Sequence, residues 1–188
     1  MASSRRSISR SSQEPGALEL AAPKQRPTLD LAAGKLVLDE TLPLVLSYLG
    51  KSLEELGWER IDDTTLTIPI TAGPDGADGF LLRLCFLTGR AWPPSAQFVN
   101  PETLEYDLQS DQEHLPKLQS GQVQTHSSFD SPDGKKLQLI CCSATLEFYE
   151  VLHDVQPQHV WKDTDTFLVT ITAIQRAMNH SYLGRFDA

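Results

Sequence analysis

The chain is short of positive charge. It sets 16 Lys and Arg against 25 Asp and Glu, a formal net charge of −9. The deficit is uneven: residues 1–27 hold five basic and two acidic residues, so residues 28–188 carry 11 basic against 23 acidic ones, or −12. A domain that acidic is unsuited to neutralising phosphates, which argues against nucleic acid or an anionic membrane surface as partner and favours proteins with basic surfaces. Long hydrophobic runs are missing too. No stretch approaches the roughly 18 apolar residues of a membrane-spanning helix, and no apolar secretory segment follows the start. Cysteine is scarce: Cys85, Cys141 and Cys142 are all there is. Two of these are neighbours, able to bridge only through a strained ring, so the expectation is three thiols in a reducing cytoplasm. The sequence also lacks a Gly-rich phosphate loop, HExxH, CxxC and GxSxG, which leaves nucleotide, metalloprotease, redox and hydrolase readings without a motif. No cofactor is expected.

What is there suits one domain with a tail. The 188 residues are 40% apolar, enough for a core but lean. Residues 1–30 contain Pro15, Pro23, Pro27 and an Arg/Ser-rich start, and read as a flexible arm rather than a transit peptide. The domain is placed at 31–188. Leu42, Val45, Leu46, Leu49, Leu53 and Leu56 recur at helical spacing, which predicts a helix over 40–56, capped by Asp39 or Thr41, with Pro43 in its first turn and Gly57 beyond its end. Thr65–Thr71 alternates as a strand, with Pro69 placing it at or near an edge. The turn at 72–79 returns the chain into a central strand over Phe80–Leu87, apolar on both faces, with Cys85 buried inside it. Ala96–Val99 is a short strand, 101–135 a long wet excursion, and Leu137–Cys142 the next strand. Residues 143–162 read as irregular or short helix. Thr166–Met178 reads as a helix capped by Asp163 or Thr164: Phe167, Val169, Ile171 and Ala173 also alternate as in a strand, but the length and the helix-forming Ala-Ile-Gln-Arg-Ala-Met end favour the helix. The sum is α+β: a four-stranded antiparallel sheet backed by an N-terminal and a C-terminal helix.

One constellation could carry chemistry. Cys141-Cys142 ends an apolar strand and precedes Tyr149, His153, His159 and Trp161. Strand alternation turns one thiol inward and the other outward, and the outward one is the candidate nucleophile for acyl transfer. The alternative is that both are packing residues. His153 and His159, six apart with Pro157 between them, do not have the spacing of a helical ligand pair, and zinc needs three or four ligands; no metal site is expected. A Cys–His hydrolase would lack a third, orienting group. The acidic window Glu102–Glu113 is a solvated loop, or a docking surface for a basic partner.

The order of elements, taken with a few local motifs, resembles the ubiquitin-conjugating enzyme (UBC-like) fold. Pro93-Pro94-Ser-Ala-Gln-Phe98 is similar to that family's Pro-Pro-x-x-x-Phe element, Ile140-Cys141 to its active-site Ile-Cys, and Trp161 before an apolar helix to its tryptophan and following helix. The family's His-Pro-Asn is absent; only Asn100-Pro101, far upstream, comes near it. The long interval from Cys141 to Trp161, with Ala144-Thr145, Phe148-Tyr149, His153, Pro157 and His159, resembles the divergent bacterial members, in which histidine stands where this chain has Tyr149. The resemblance implies a carrier that accepts a ubiquitin-like modifier from an activating-enzyme-like protein as a thioester on Cys141 and passes it to a protein substrate. Cys142 is the alternative nucleophile. Asn100, Tyr149, His153 and His159 are the candidates to stabilise the oxyanion or support the site. A non-catalytic UBC/RWD-like protein-binding module is the other function the resemblance implies.

Overall fold

The structure is a computed structural model that describes residues 27–119, 122–130, 134, 136–151 and 160–186. Most of the expected arm, and the expected site residues His153 and His159, lie outside these described residues.

The first helix, α1, spans Leu31–Leu49, so the expected start at residue 40 is corrected. Asp30 is the cap: its Oδ1 accepts the Ala33 N–H at 3.0 Å, while its own N–H donates to Leu87 O at 2.8 Å and ties the helix start to the sheet. The early turns escaped the periodicity because Leu31 and Leu36 point to solvent, spreading apolar residues around the helix. Gly34 lets the helix approach the sheet: a Cβ there would sit 1.9 Å from the Phe86 carbonyl oxygen. Pro43 lies well inside α1 rather than in its first turn. Gly50, at φ 64, ends the helix, and a separate short helix, α2 (Leu53–Leu56), starts from a capping box of Ser52 and Glu55.

Four antiparallel strands follow in sheet order β1-β2-β3-β4: β1 (Glu59–Arg60), β2 (Thr65–Ala72), β3 (Asp78–Cys85) and β4 (Ser95–Val99). In register, Leu82 sits between Ile68 and Phe98. Pro69 lies past the two residues that β1 covers. One sheet face is buried through Leu66, Ile68, Ile70, Phe80, Leu82, Leu84, Ala96 and Phe98, forming one core with Leu38, Leu42 and Val45 of α1. The last helix, α4 (Phe167–His180), adds Phe167, Ile171, Ile174 and Met178 to that core. Its cap position is Thr166, not Asp163 or Thr164.

Two expectations for β3 change. Its residues alternate between buried Phe80, Leu82 and Leu84 and half-buried Leu81, Arg83 and Cys85, so Cys85 is not in the core. The second face has no apolar layer over it: Pro69 and Thr71 of β2 are exposed, and near its centre the face meets the acidic window. Arg83 reaches it, donating to Leu104 O and Gln97 Oε1, each at 2.7 Å, and pairing with Glu105 at 2.9 Å.

The expected fourth strand does not join this sheet by its backbone. It is β7 (Lys136–Cys141), and it pairs with β6 (Gln124–Asp130) as a separate hairpin. A third pair joins β5 (Pro116–Leu118) to β8 (Tyr182–Arg185). The stretch 101–135 therefore holds two strands that the sequence reading missed, because Gln-Thr-His-Ser-Ser-Phe-Asp has no apolar alternation. Side chains bridge the breaks between sheets. Gln138 of β7 accepts the Phe98 N–H at 2.7 Å and donates to the Phe98 carbonyl at 2.8 Å, copying a backbone bridge with an amide side chain. Thr125 of β6 does the same for β5, accepting the Leu118 N–H at 2.9 Å and donating to Pro116 O at 2.6 Å. The strand β8 then returns to the β2–β3 turn, with the Tyr182 hydroxyl on Asp78 at 2.6 Å and Arg185 over the Phe80 ring at 4.2 Å.

Candidate functional site

Cys141 is the last residue of β7, and a tight turn carries the chain from there into α3 (Leu146–Glu150). Thr145 holds the turn. Its hydroxyl lies 3.0 Å from Ile140 O and 2.8 Å from Cys142 O, and its N–H donates to Cys142 O at 2.9 Å. The other carbonyls of the turn are also engaged. Ser143 O accepts the Tyr149 hydroxyl at 2.9 Å, and Ala144 O accepts the Thr170 hydroxyl of α4 at 2.7 Å. These bonds leave the turn little freedom and set the two thiols apart: Cys141 is half-buried and Cys142 is 4% exposed.

The segments that carry the family resemblance meet at this turn. The Leu146 N–H donates to Pro94 O at 3.0 Å, which docks α3 on the Pro93-Pro94 element. Trp92 packs edge-on against Tyr149 with ring centres 5.3 Å apart. Trp161 donates its indole N–H to Arg90 O at 3.0 Å, and its backbone N–H reaches the Tyr149 oxygen at 3.3 Å. Phe98 is fully buried. The cavity between Trp92, Pro94, Trp161 and Phe167 measures about 10 Å³, room for one water at most and not for a ligand.

Among the described residues, burial is the largest influence on both thiols. Burial pushes the Cys141 thiol up. Burial also pushes Cys142 up; the Ala144 N–H draws it back in part, and neighbouring Cys141 adds to the rise. Both are protonated thiols near neutral pH, whereas the thiolate is the nucleophile.

The expected supporting residues have other bonds. Tyr149 is a strut between Ser143 and Trp161, so its hydroxyl hydrogen reaches an oxyanion only by leaving Ser143. Asn100 organises the acidic loop: its Nδ2 donates to Asp111 Oδ1 at 2.9 Å and its Oδ1 accepts the Glu102 N–H at 2.9 Å. That amide bond is the main cause that holds Asp111 below the usual carboxylate range, and Asp111 is buried. Part of the acidic window is thus internal architecture. His153 and His159 lie outside the described residues. Among the described residues no group of three or more His, Cys, Asp or Glu is disposed to hold a metal ion, and no helix is long and apolar enough to cross a membrane.

The sequence reading missed Glu147. Its carboxylate is buried on α3, where it accepts the Ser95 hydroxyl in a short hydrogen bond and the Ala96 N–H at 3.3 Å. It clamps the cysteine turn to the start of β4. Burial is the largest influence on it and raises its pKa to about 7, against the opposing pull of the Ser95 and backbone bonds. The Ser95 hydroxyl can donate to the carboxylate or accept from the carboxylic acid, so the group can titrate without losing its partner. Nothing in Leu-Glu-Phe-Tyr-Glu distinguishes Glu147 from a solvent-facing helical glutamate.

No family model, no curated protein and no solved structure matches this chain.

Proposed function

We propose that this protein is a UBC-like carrier of a ubiquitin-like modifier, acting in a bacterial cytoplasm, with Cys141 as the residue that holds the modifier as a thioester. The observation that carries the proposal is the half-exposed thiol at the end of β7, on a turn pinned through Thr145, Tyr149, Thr170 and Pro94. In thioester exchange one thioester replaces another, so the carrier has to present a thiol and hold it still; a partner can remove the proton at the moment of transfer. The partners are an activating-enzyme-like protein that loads Cys141, the modifier itself, and a protein substrate whose amine receives it. No cofactor is required of this chain.

The test is incubation with the cognate activating enzyme, modifier and ATP, read on non-reducing gels. Wild type forms a reductant-sensitive adduct, Cys142→Ser retains it, and Cys141→Ser abolishes it or leaves a reductant-resistant ester. An adduct that survives in Cys141→Ser and is lost in Cys142→Ser moves the site to the neighbour.

A second reading, a non-catalytic UBC/RWD-like binding module, is favoured by one observation. Burial raises both thiols, and the described candidates for an oxyanion donor, Asn100 and Tyr149, already serve the loop and the turn. Absence of any adduct with an activating enzyme of proven activity selects this reading.

A further inference from the structure

Two cavities lie side by side along α4. One, of about 330 Å³, is lined by Val123, Ala173, Arg176 and His180. The other, of about 190 Å³, is lined by Val123, Ala173, Cys142 and Ala144. The shared residues make them one groove, running from the cysteine turn to the C-terminal end of the helix. From Val169 to His180 the helix rises about 16 Å, the reach of about five residues of extended chain at roughly 3.3 Å each.

The far end of the groove carries an arginine and a histidine. Among the described residues there are five arginines. Arg60, Arg83, Arg90 and Arg185 each pair with a carboxylate. Arg176, exposed on α4, is the one with no such pair among the described residues. His180 stands one turn further along the same helix and lines the same cavity. On a domain carrying −12, a cation left without a carboxylate beside a groove is complementary to an anionic visitor and not to the protein's own surface.

We propose that the α4 groove binds an extended acidic segment of a partner protein, with a carboxylate of the segment on Arg176 and His180 and the rest of the segment running past Ala173 toward the cysteine turn. Arginine suits this role because its planar fork can hold a carboxylate through two parallel hydrogen bonds. This binding does not depend on thioester formation at Cys141, so the two proposals fail separately.

The test uses the ¹⁵N-labelled full chain titrated with an acetylated, amidated pentapeptide, Glu-Glu-Leu-Ala-Gly, whose only charges are its two carboxylates. The expected result is saturable shifts of the Val123, Ala144, Ala173 and Arg176 amides. The Gln-Gln-Leu-Ala-Gly analogue should bind at least tenfold more weakly, and 0.5 M salt should weaken the acidic peptide. Arg176→Glu, an exposed change that leaves the fold intact by circular dichroism, should lose the acidic peptide and gain affinity for Lys-Lys-Leu-Ala-Gly. Filling the groove with Ala173→Trp should block both. Equal binding of the Glu and Gln peptides, shifts that map to another face, no shifts at all, or an unchanged affinity in Arg176→Glu would each overturn the proposal.

Discussion

The two halves of this domain are held together differently. From β1 to β4 the strands are joined by continuous backbone ladders, and their inner face is a run of fully buried aliphatic and aromatic side chains. From residue 100 to 150 the pairings have irregular registers, and single polar side chains do much of the joining: Gln138 ties β7 to β4, Thr125 ties β6 to β5 beside one backbone bridge at Gln119 and Gln124, Glu147 ties α3 to β4, and Asn100 holds the acidic loop. A ladder spreads its cohesion over many equivalent bonds and over apolar area, so one lost bond is shared out. A side-chain bridge concentrates it, because the buried backbone groups it satisfies have no second partner in reach. The cysteine turn stands in the second half, and Glu147 is the bridge that clamps it to β4.

The largest effect is expected at Gln138. Gln138→Leu keeps the volume but leaves the buried Phe98 N–H and C=O without their partner, for a loss of about 3–4 kcal/mol in chemical denaturation. A loss under about 1 kcal/mol would mean that the sheet edge does not rely on the amide.

Glu147 comes next. Its folded-state pKa of about 7 lies above the ordinary 4.5, so the native state binds more protons than the unfolded chain between those values. Its contribution is fully present below about pH 4.5 and is lost as pH rises through about 7, by up to about 3 kcal/mol. Other carboxylates slope the opposite way, Asp111 among them, and Cys85 and Glu150 interact with the same charge. The measurement is therefore the difference between wild type and Glu147→Gln across pH 4.5–8. Gln can donate to Ser95 and accept from Ala96 as the protonated acid does, so the variant should fold and its stability relative to wild type should rise with pH. A flat difference contradicts the account. The smallest effect is at Thr125: Thr125→Val orphans the Leu118 N–H and should cost about 2 kcal/mol by thermal melts, with the β1–β4 core unaffected.

The same contrast explains what the sequence revealed. The hairpin of β2 and β3, the strand β4 and the helix α4 were legible because burial of an apolar face imposes a period, and Leu66, Ile68, Ile70 or Phe167, Ile171, Ile174 display it. The strand β6 was not, because its place is set by pairing and by the Thr125 hydroxyl rather than by apolar alternation. The start of α1 was obscured by exposed Leu31 and Leu36. At the site, the expectation that the two thiols differ in exposure is met, but through the turn and not through strand alternation, since β7 ends at Cys141 and Cys142 lies beyond it. The roles of Glu147, Gln138 and Tyr149 were not legible, since a polar side chain's partner lies across the fold and leaves no mark on its neighbours in sequence.

The most direct measurement is the loading reaction, run with wild type, Cys141→Ser and Cys142→Ser against a cognate activating enzyme, modifier and ATP, with folding of each variant checked by circular dichroism. The account predicts a reductant-sensitive adduct in wild type and Cys142→Ser, and none in Cys141→Ser. A reductant-sensitive adduct that persists in folded Cys141→Ser, or no adduct in wild type with an enzyme that loads its own thiol, would contradict it.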